Sequence, residues 1–192
     1  MSQASDRFSY AMFRQRGKLL VPPLLLALLI RYHETESDWV VFGLGGAIFA
    51  VGLALRVWAQ THLHFRLRTG MSLTVTGPYS HVRNPVYIGN VFMASGVCVG
   101  CELLWMVPLV LLWLAALYTF VVRYEEAALR ERYGEGYEAY RDRVPRWFPR
   151  LRRSDPAATL WASSFLGPSL RVECLTLLWW LPVVLKELWP GR

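Results

Sequence analysis

Two stretches of this sequence hold residues whose types and spacing could do chemistry. The first is Thr76-Gly-Pro-Tyr-Ser-His-Val-Arg-Asn-Pro-Val-Tyr-Ile-Gly89. Gly77-Pro78 is a turn signal. Pro85 suits the first turn of a helix, where its missing N–H costs nothing, and Asn84 is then a natural N-cap. Arg83, Asn84 and Tyr87 would stand beside a helix N-terminus, whose free N–H groups favour an anion or a carboxylate. An ordinary capped helix start, with an Arg facing lipid headgroups, would use the same residues.

The second stretch runs from Arg123-Tyr-Glu-Glu through Tyr140, followed by Val144-Pro145-Arg146-Trp147-Phe148-Pro149. Leu129, Tyr133, Tyr137, Tyr140 and Val144 recur every three or four residues, which predicts one apolar stripe on an amphipathic helix lying at a membrane interface. Trp147 and Phe148 would anchor it. Glu125 and Glu126 follow an apolar run, where a carboxylate is expensive unless paired. They invite a cation, either Arg83, Arg123 or a ligand ammonium; alternatively they begin the charged face of the helix.

Other constellations are weaker. His62 and His64 form an H-x-H pair with no acidic or Cys cluster at metal-ligand spacing, so interfacial histidines are the better reading and no metal site is expected. Cys98-Val-Gly-Cys101 has the spacing of a redox or metal pair, but in an apolar helix with Gly96 and Gly100 it reads as small residues for helix packing. Gly43-Leu-Gly-Gly46 follows no strand and fails as a dinucleotide fingerprint.

These residues must be positioned by elements of two solvents. Of 192 residues 54% are hydrophobic and 18% charged, with the charges gathered between apolar runs. A bilayer core of roughly 30 Å calls for about 20 apolar residues per helix. Five stretches approach this: Leu19–Ile30, short and holding Pro22-Pro23; Trp39–Ala59, with Arg56 near its end to snorkel; Val86–Cys101; Leu103–Val122, joined to the previous one by a tight turn around Glu102; and Val172–Trp189. The expected fold class is all-α, a polytopic transmembrane bundle of about five spans with a cytosolic interfacial helical segment. Its parts would be a cytosolic tail over 1–18, a core over 19–149, a linker over 150–171 and a membrane helix over 172–192.

Charge orients the bundle. Arg7, Arg14, Arg16, Lys18, Arg66, Arg68, Arg83 and ten arginines from Arg123 to Arg171 would share one side; Glu34, Glu36, Asp38 and Glu102 would lie on the other. Basic loops stay in the cytoplasm, so the N-terminus is placed inside, in the inner membrane if the source is bacterial. Nothing in Met1–Ile30 matches a cleavable signal. The net charge of +7 reads as topology and attraction to anionic headgroups, with membrane lipids rather than nucleic acid as partners.

Together the two stretches resemble the membrane methyltransferases that include isoprenylcysteine carboxyl methyltransferase and the phospholipid N-methyltransferases. Members carry G-x-Y-x-x-x-R-H-P-x-Y before one span; Gly77-Pro-Tyr79-Ser-His-Val-Arg83-Asn84-Pro85-Val-Tyr87 departs from it at one position. They also carry a Glu pair, a Leu, an aromatic-Gly, two spaced tyrosines and Val-Pro, as in Glu125-Glu126, Leu129, Tyr133-Gly134, Tyr137, Tyr140 and Val144-Pro145. The likeness covers Val75–Pro149.

The resemblance implies S-adenosylmethionine bound at the cytosolic mouth of the bundle and a methyl group passed to a lipophilic acceptor reached from the bilayer, such as an isoprenylcysteine-like carboxylate, a lipid amine or a thiol. Arg83, Asn84, Pro85 and Tyr87 would line the cofactor pocket with Tyr79 nearby. Glu125 or Glu126 would meet its cationic end, and Arg83, Glu126 and Arg123 would serve the transfer, Arg123 matching no fixed family position. Asn84 replaces the family His; it can hold a ligand but cannot take a proton near neutral pH. Rival readings are a non-catalytic scaffold or transporter subunit, and a membrane sterol-type reductase.

Overall fold

The computed structural model describes residues 3–30, 38–68, 72–150 and 166–188, and every element among them is helical. In chain order these are α1 (Gln3–Gln15), α2 (Val21–Leu29), α3 (Asp38–Arg68), α4 (Pro85–Gly100), α5 (Met106–Tyr133), α6 (Glu135–Arg143), α7 (Leu166–Glu173) and α8 (Leu181–Leu188). Short 3-10 turns occupy Lys18–Leu20, Gly77–Ser80 and Cys174–Trp180. The chain is a helical membrane bundle, as its apolar runs require.

Among the described residues three helical stretches are long and apolar enough to cross a bilayer: Trp39–Leu63, Met106–Tyr133 and Leu166–Lys186. The other two expected spans are shorter. Pro22-Pro23 falls at the first positions of α2 and confines it to nine residues, about 14 Å at ~1.5 Å per residue. Pro85 opens α4 and a turn at Cys101–Glu102 closes it after 16 residues. Glu102 takes a left-handed φ of 59° there, and the Leu103 N–H donates to the Cys98 carbonyl at 2.8 Å, so the tight turn expected around Glu102 is present. The last span begins at Leu166 rather than Val172. Most of the stretch read as a linker, 151–165, lies outside the described residues. The tail expected over 1–18 contains α1.

The chain divides into two compact units, one of Met1–Gly52, Val91–Glu125 and Leu177–Arg192, the other of Leu53–Asn90 and Glu126–Thr176. In the first, glycines let backbones meet. A Cβ on Gly45 would stand 2.5 Å from the Gly100 nitrogen and 2.8 Å from the Gly96 carbonyl oxygen, and one on Gly96 would stand 2.7 Å from the Gly45 oxygen. The small-residue pair Gly96/Gly100 therefore packs against α3, with Trp180 seated on Phe42 and Phe49. Cys98 and Cys101 are free and buried, in keeping with a packing role. On α1, Phe8 meets Phe120, and Tyr10 and Phe13 meet Tyr124. α2 packs on α8. Large apolar side chains face outward, Leu29 at 73% and Leu112 at 70% exposure; hydrocarbon is the solvent that tolerates such a face.

In the second unit the apolar stripe gathers as expected, but not on one helix. Gly134, at φ 52°, ends α5 and turns the chain into α6. Tyr137, Tyr140 and Val144 are then buried together against Leu73, Leu129 and Tyr133. A single continuous helix would have spread these residues along a line; the left-handed glycine folds them into a knot.

Candidate functional site

The second unit joins the two stretches that the sequence marks. Pro85 is the first residue of α4, and Asn84 precedes it, its carbonyl accepting the Ile88 N–H at 3.2 Å. The Asn84 side-chain amide donates to the Arg146 carbonyl at 3.1 Å. Beside it the main chains are laced: the Arg83 N–H donates to the Pro145 carbonyl at 2.9 Å, and the Arg150 N–H to the His81 carbonyl at 3.0 Å. The Tyr140 hydroxyl donates to the Tyr79 carbonyl at 2.8 Å. Residues 79–84 are thus held against 140–150 by bonds that specify register, which a chance proximity would not supply.

The charges meet across this seam. Arg83 Nη1 stands 3.0 Å from Glu126 Oε1 with both side chains 11% exposed. Arg146 embraces the same carboxylate with Nε at 3.0 Å from Oε1 and Nη2 on Oε2. One carboxylate thus holds two guanidinium groups, and the cluster keeps a net positive charge. Arg83 is not fully spent: Nη1 meets Glu126 outside hydrogen-bonding geometry, and the buried Nε has no acceptor among the described residues. A buried donor without a partner costs roughly 1–3 kcal/mol, so an incoming acceptor of the right shape would be stabilising there. Burial pushes the Tyr137 phenol above its ordinary range and the Glu126 carboxylate adds to the shift, while Arg83 opposes it. Burial also raises Tyr140. Both phenols stay protonated near neutral pH, and Tyr140 is the donor to the Tyr79 carbonyl.

Of the residues singled out in the sequence, Arg83, Asn84, Tyr79 and Glu126 lie at this seam, while Pro85 and Tyr87 are buried in the first turn of α4. Glu125 and Arg123 belong to the other unit; Glu125 is half-buried and Arg123 exposed. Arg146 was not singled out. It stands in a run that reads as an interfacial anchor, and only the pairing with a residue 20 positions earlier reveals it. His62 is buried, at 1% exposure. Its Nδ1 lies 3.1 Å from Thr76 Oγ1, and a Cβ on Gly77, whose φ is 59°, would come within 2.3 Å of its ring. The His64 side chain lies outside the described residues. Among the described residues no group of three or more His, Cys, Asp or Glu could hold a metal ion.

The family of phospholipid methyltransferases matches residues 40–136. The chain is 29% identical over 156 residues to the nickel-cobalt-cadmium resistance protein of Alcaligenes xylosoxydans, covering 77% of this chain and 70% of that protein. It is 29% identical over 173 residues to the cobalt-zinc-cadmium resistance protein of Cupriavidus metallidurans, covering 86% and 77% respectively. No solved structure matches.

Proposed function

We propose a reaction for this chain, which belongs to the phospholipid methyltransferase family: transfer of a methyl group from S-adenosylmethionine to a lipophilic acceptor at the cytosolic face of the membrane. The observation that carries it is the closure of the two sequence motifs on one another through Arg83, Glu126 and Arg146. The residues present suit the cofactor. Arg83 has a buried Nε in need of an acceptor, and a carboxylate supplies a charge-assisted one. Glu126 fixes the two arginines, and its carboxylate would offer the acid that an ammonium requires. Asn84, Pro85, Tyr87 and Tyr79 would shape the pocket. The cofactor brings a methyl group already activated on sulfur, so the protein's share is alignment and exclusion of water. An acceptor that is already an anion, a carboxylate or thiolate, needs no base; a lipid ammonium would first have to lose a proton. Membrane helices around such a site would deliver the acceptor laterally.

The relatives' names support a second reading, a non-catalytic membrane component of metal resistance. Calorimetry on the full chain in nanodiscs separates the two. Saturable S-adenosylmethionine binding is expected, with Arg83→Ala and Glu126→Gln each weakening it by well over ~1 kcal/mol, the loss of a charge-assisted bond. No binding by the wild type would end the methyltransferase reading, and wild-type affinity in both variants would move the site elsewhere. Labelled cofactor incubated with lipids and small thiols, followed by mass spectrometry, would then identify the acceptor.

A further inference from the structure

A second buried ionic network lies in the same unit, and the proposed reaction does not use it. Arg56 on α3 grips Glu173 of α7 with two parallel bonds, Nε to Oε2 at 2.8 Å and Nη2 to Oε1 at 2.9 Å. Its remaining Nη1 donates to Asn90 Oδ1 on α4. The Thr176 hydroxyl donates to Glu173 Oε2 at 2.8 Å. Glu173 is 2% exposed and Asn90 3%. Arg56, placed near the end of an apolar run where it could snorkel, is instead neutralised inside by an acid 117 residues away. An ionisable residue in an apolar helix is costly unless paired, and such pairs mark functional positions.

What the network touches gives it a direction. Arg56, Ala59 and His62 are spaced to share one face of α3, and Ala59 is fully buried. His62 on that face packs on Gly77 and lies beside Thr76 Oγ1. Gly77 opens the turn that leads to Tyr79 and Arg83. Asn90 lies on α4 about one turn beyond Tyr87 and two beyond Asn84. The same guanidinium therefore sets the rotation of α3 under the motif loop and the position of the first turns of α4. Packed helices of this kind shift between discrete arrangements and do not deform smoothly. We infer that Glu173, acting through Arg56, Asn90 and His62, is a positioning residue that holds segment 76–90 in the geometry of the transfer site. The inference rests on the methyltransferase reading only for its consequence in turnover; the positioning itself is independent of it.

The test uses the full chain in nanodiscs with two readouts. Glu173→Gln keeps shape and a hydrogen bond but removes the charge, so helical content is expected to hold while hydrogen exchange at amides 77–90 rises about tenfold or more. A displacement near 1 Å can cost up to about 100-fold in rate, so kcat should fall more than cofactor affinity. Asn90→Ala, which leaves the ion pair intact, is expected to loosen residues 85–90 alone. The exchange pattern should return toward wild type in the swapped pair Arg56→Glu with Glu173→Arg. Unchanged exchange at 77–90 in Glu173→Gln would overturn the inference, as would a rise spread evenly over the chain. If the wild type binds no cofactor, the proposed function fails while the exchange measurement still decides this claim. Should Glu173→Gln not fold, Glu173→Asp, which shortens the reach to Arg56, decides it by the same criterion.

Discussion

Tyr140 donates to the Tyr79 carbonyl from inside a cluster that water barely reaches, and that one bond ties α6 to the loop bearing Arg83. Burial lifts its phenol above the ordinary value, with Tyr79 adding to the shift. The sign follows directly. The unfolded chain would release this proton near pH ~10, the folded chain only at higher pH, so the bond's contribution is complete below about 10 and is lost as pH rises past it. The Tyr140 contribution to thermal melting in detergent, read as wild type minus Tyr140→Phe, should therefore be constant up to about pH 10 and decline above. Tyr140→Phe should cost about 1–2 kcal/mol at neutral pH, the price of a buried carbonyl left without its donor, and should flatten part of the alkaline decline. A melting curve for the variant that matches wild type at both pH values would show that this bond does not hold the loop. At this scale much was legible: Arg83 was marked by its place beside a helix N-terminus, and Glu126 by the cost of a carboxylate after an apolar run. Arg146 was not, because an Arg among Trp, Phe and Pro has an adequate local explanation as an interfacial anchor.

Among elements, close crossings and interruptions decide the shape. A Cβ on Gly45 would strike the Gly100 and Gly96 backbones at 2.5–2.8 Å, and backbone cannot be moved aside as a side-chain tip can. Gly43, two residues earlier in the same helix, would meet nothing within 4 Å. The pair makes an internal control. Gly45→Ala is expected to destabilise by roughly 1–3 kcal/mol through overpacking, whereas Gly43→Ala should gain about 0.5–1 kcal/mol from helix propensity. Equal effects on unfolding in a denaturant series would contradict the crossing. The Gly96/Gly100 pattern was readable in the sequence because it repeats at four residues; its partner Gly45 was visible only as a failed nucleotide motif. The break at Gly134 was hidden for a related reason. Tyr133, Tyr137 and Tyr140 keep helical phase across it, so periodicity alone cannot distinguish one helix from two meeting at a left-handed glycine.

For the whole molecule, composition announces the membrane, and the helices agree with it through outward leucines. Non-local pairing is where a single sequence gives least: nothing in Val172-Glu173-Cys174 names Arg56 as the partner. The side on which the N-terminus lies depends on one short element. The basic residues of 7–18 and the arginine-rich stretch from Arg123 onward are expected to share the cytosol. That requires the chain between Lys18 and Trp39 to cross the bilayer although α2 spans only nine residues, less than half of a ~30 Å core. A local thinning of the bilayer or the stretch flanking α2 would have to supply the rest. The alternative is a re-entrant α2, which would put Arg14 on the outer side with Trp39. Full-length chain in which the three native cysteines are replaced by serine can be given one new cysteine at Arg14, Leu104 or Arg150. In intact cells a membrane-impermeant maleimide is expected to label position 104 and spare 14 and 150. Labelling at 14 with 150 still protected would make α2 re-entrant, and labelling at 150 would turn the proposed site away from a cofactor made in the cytosol.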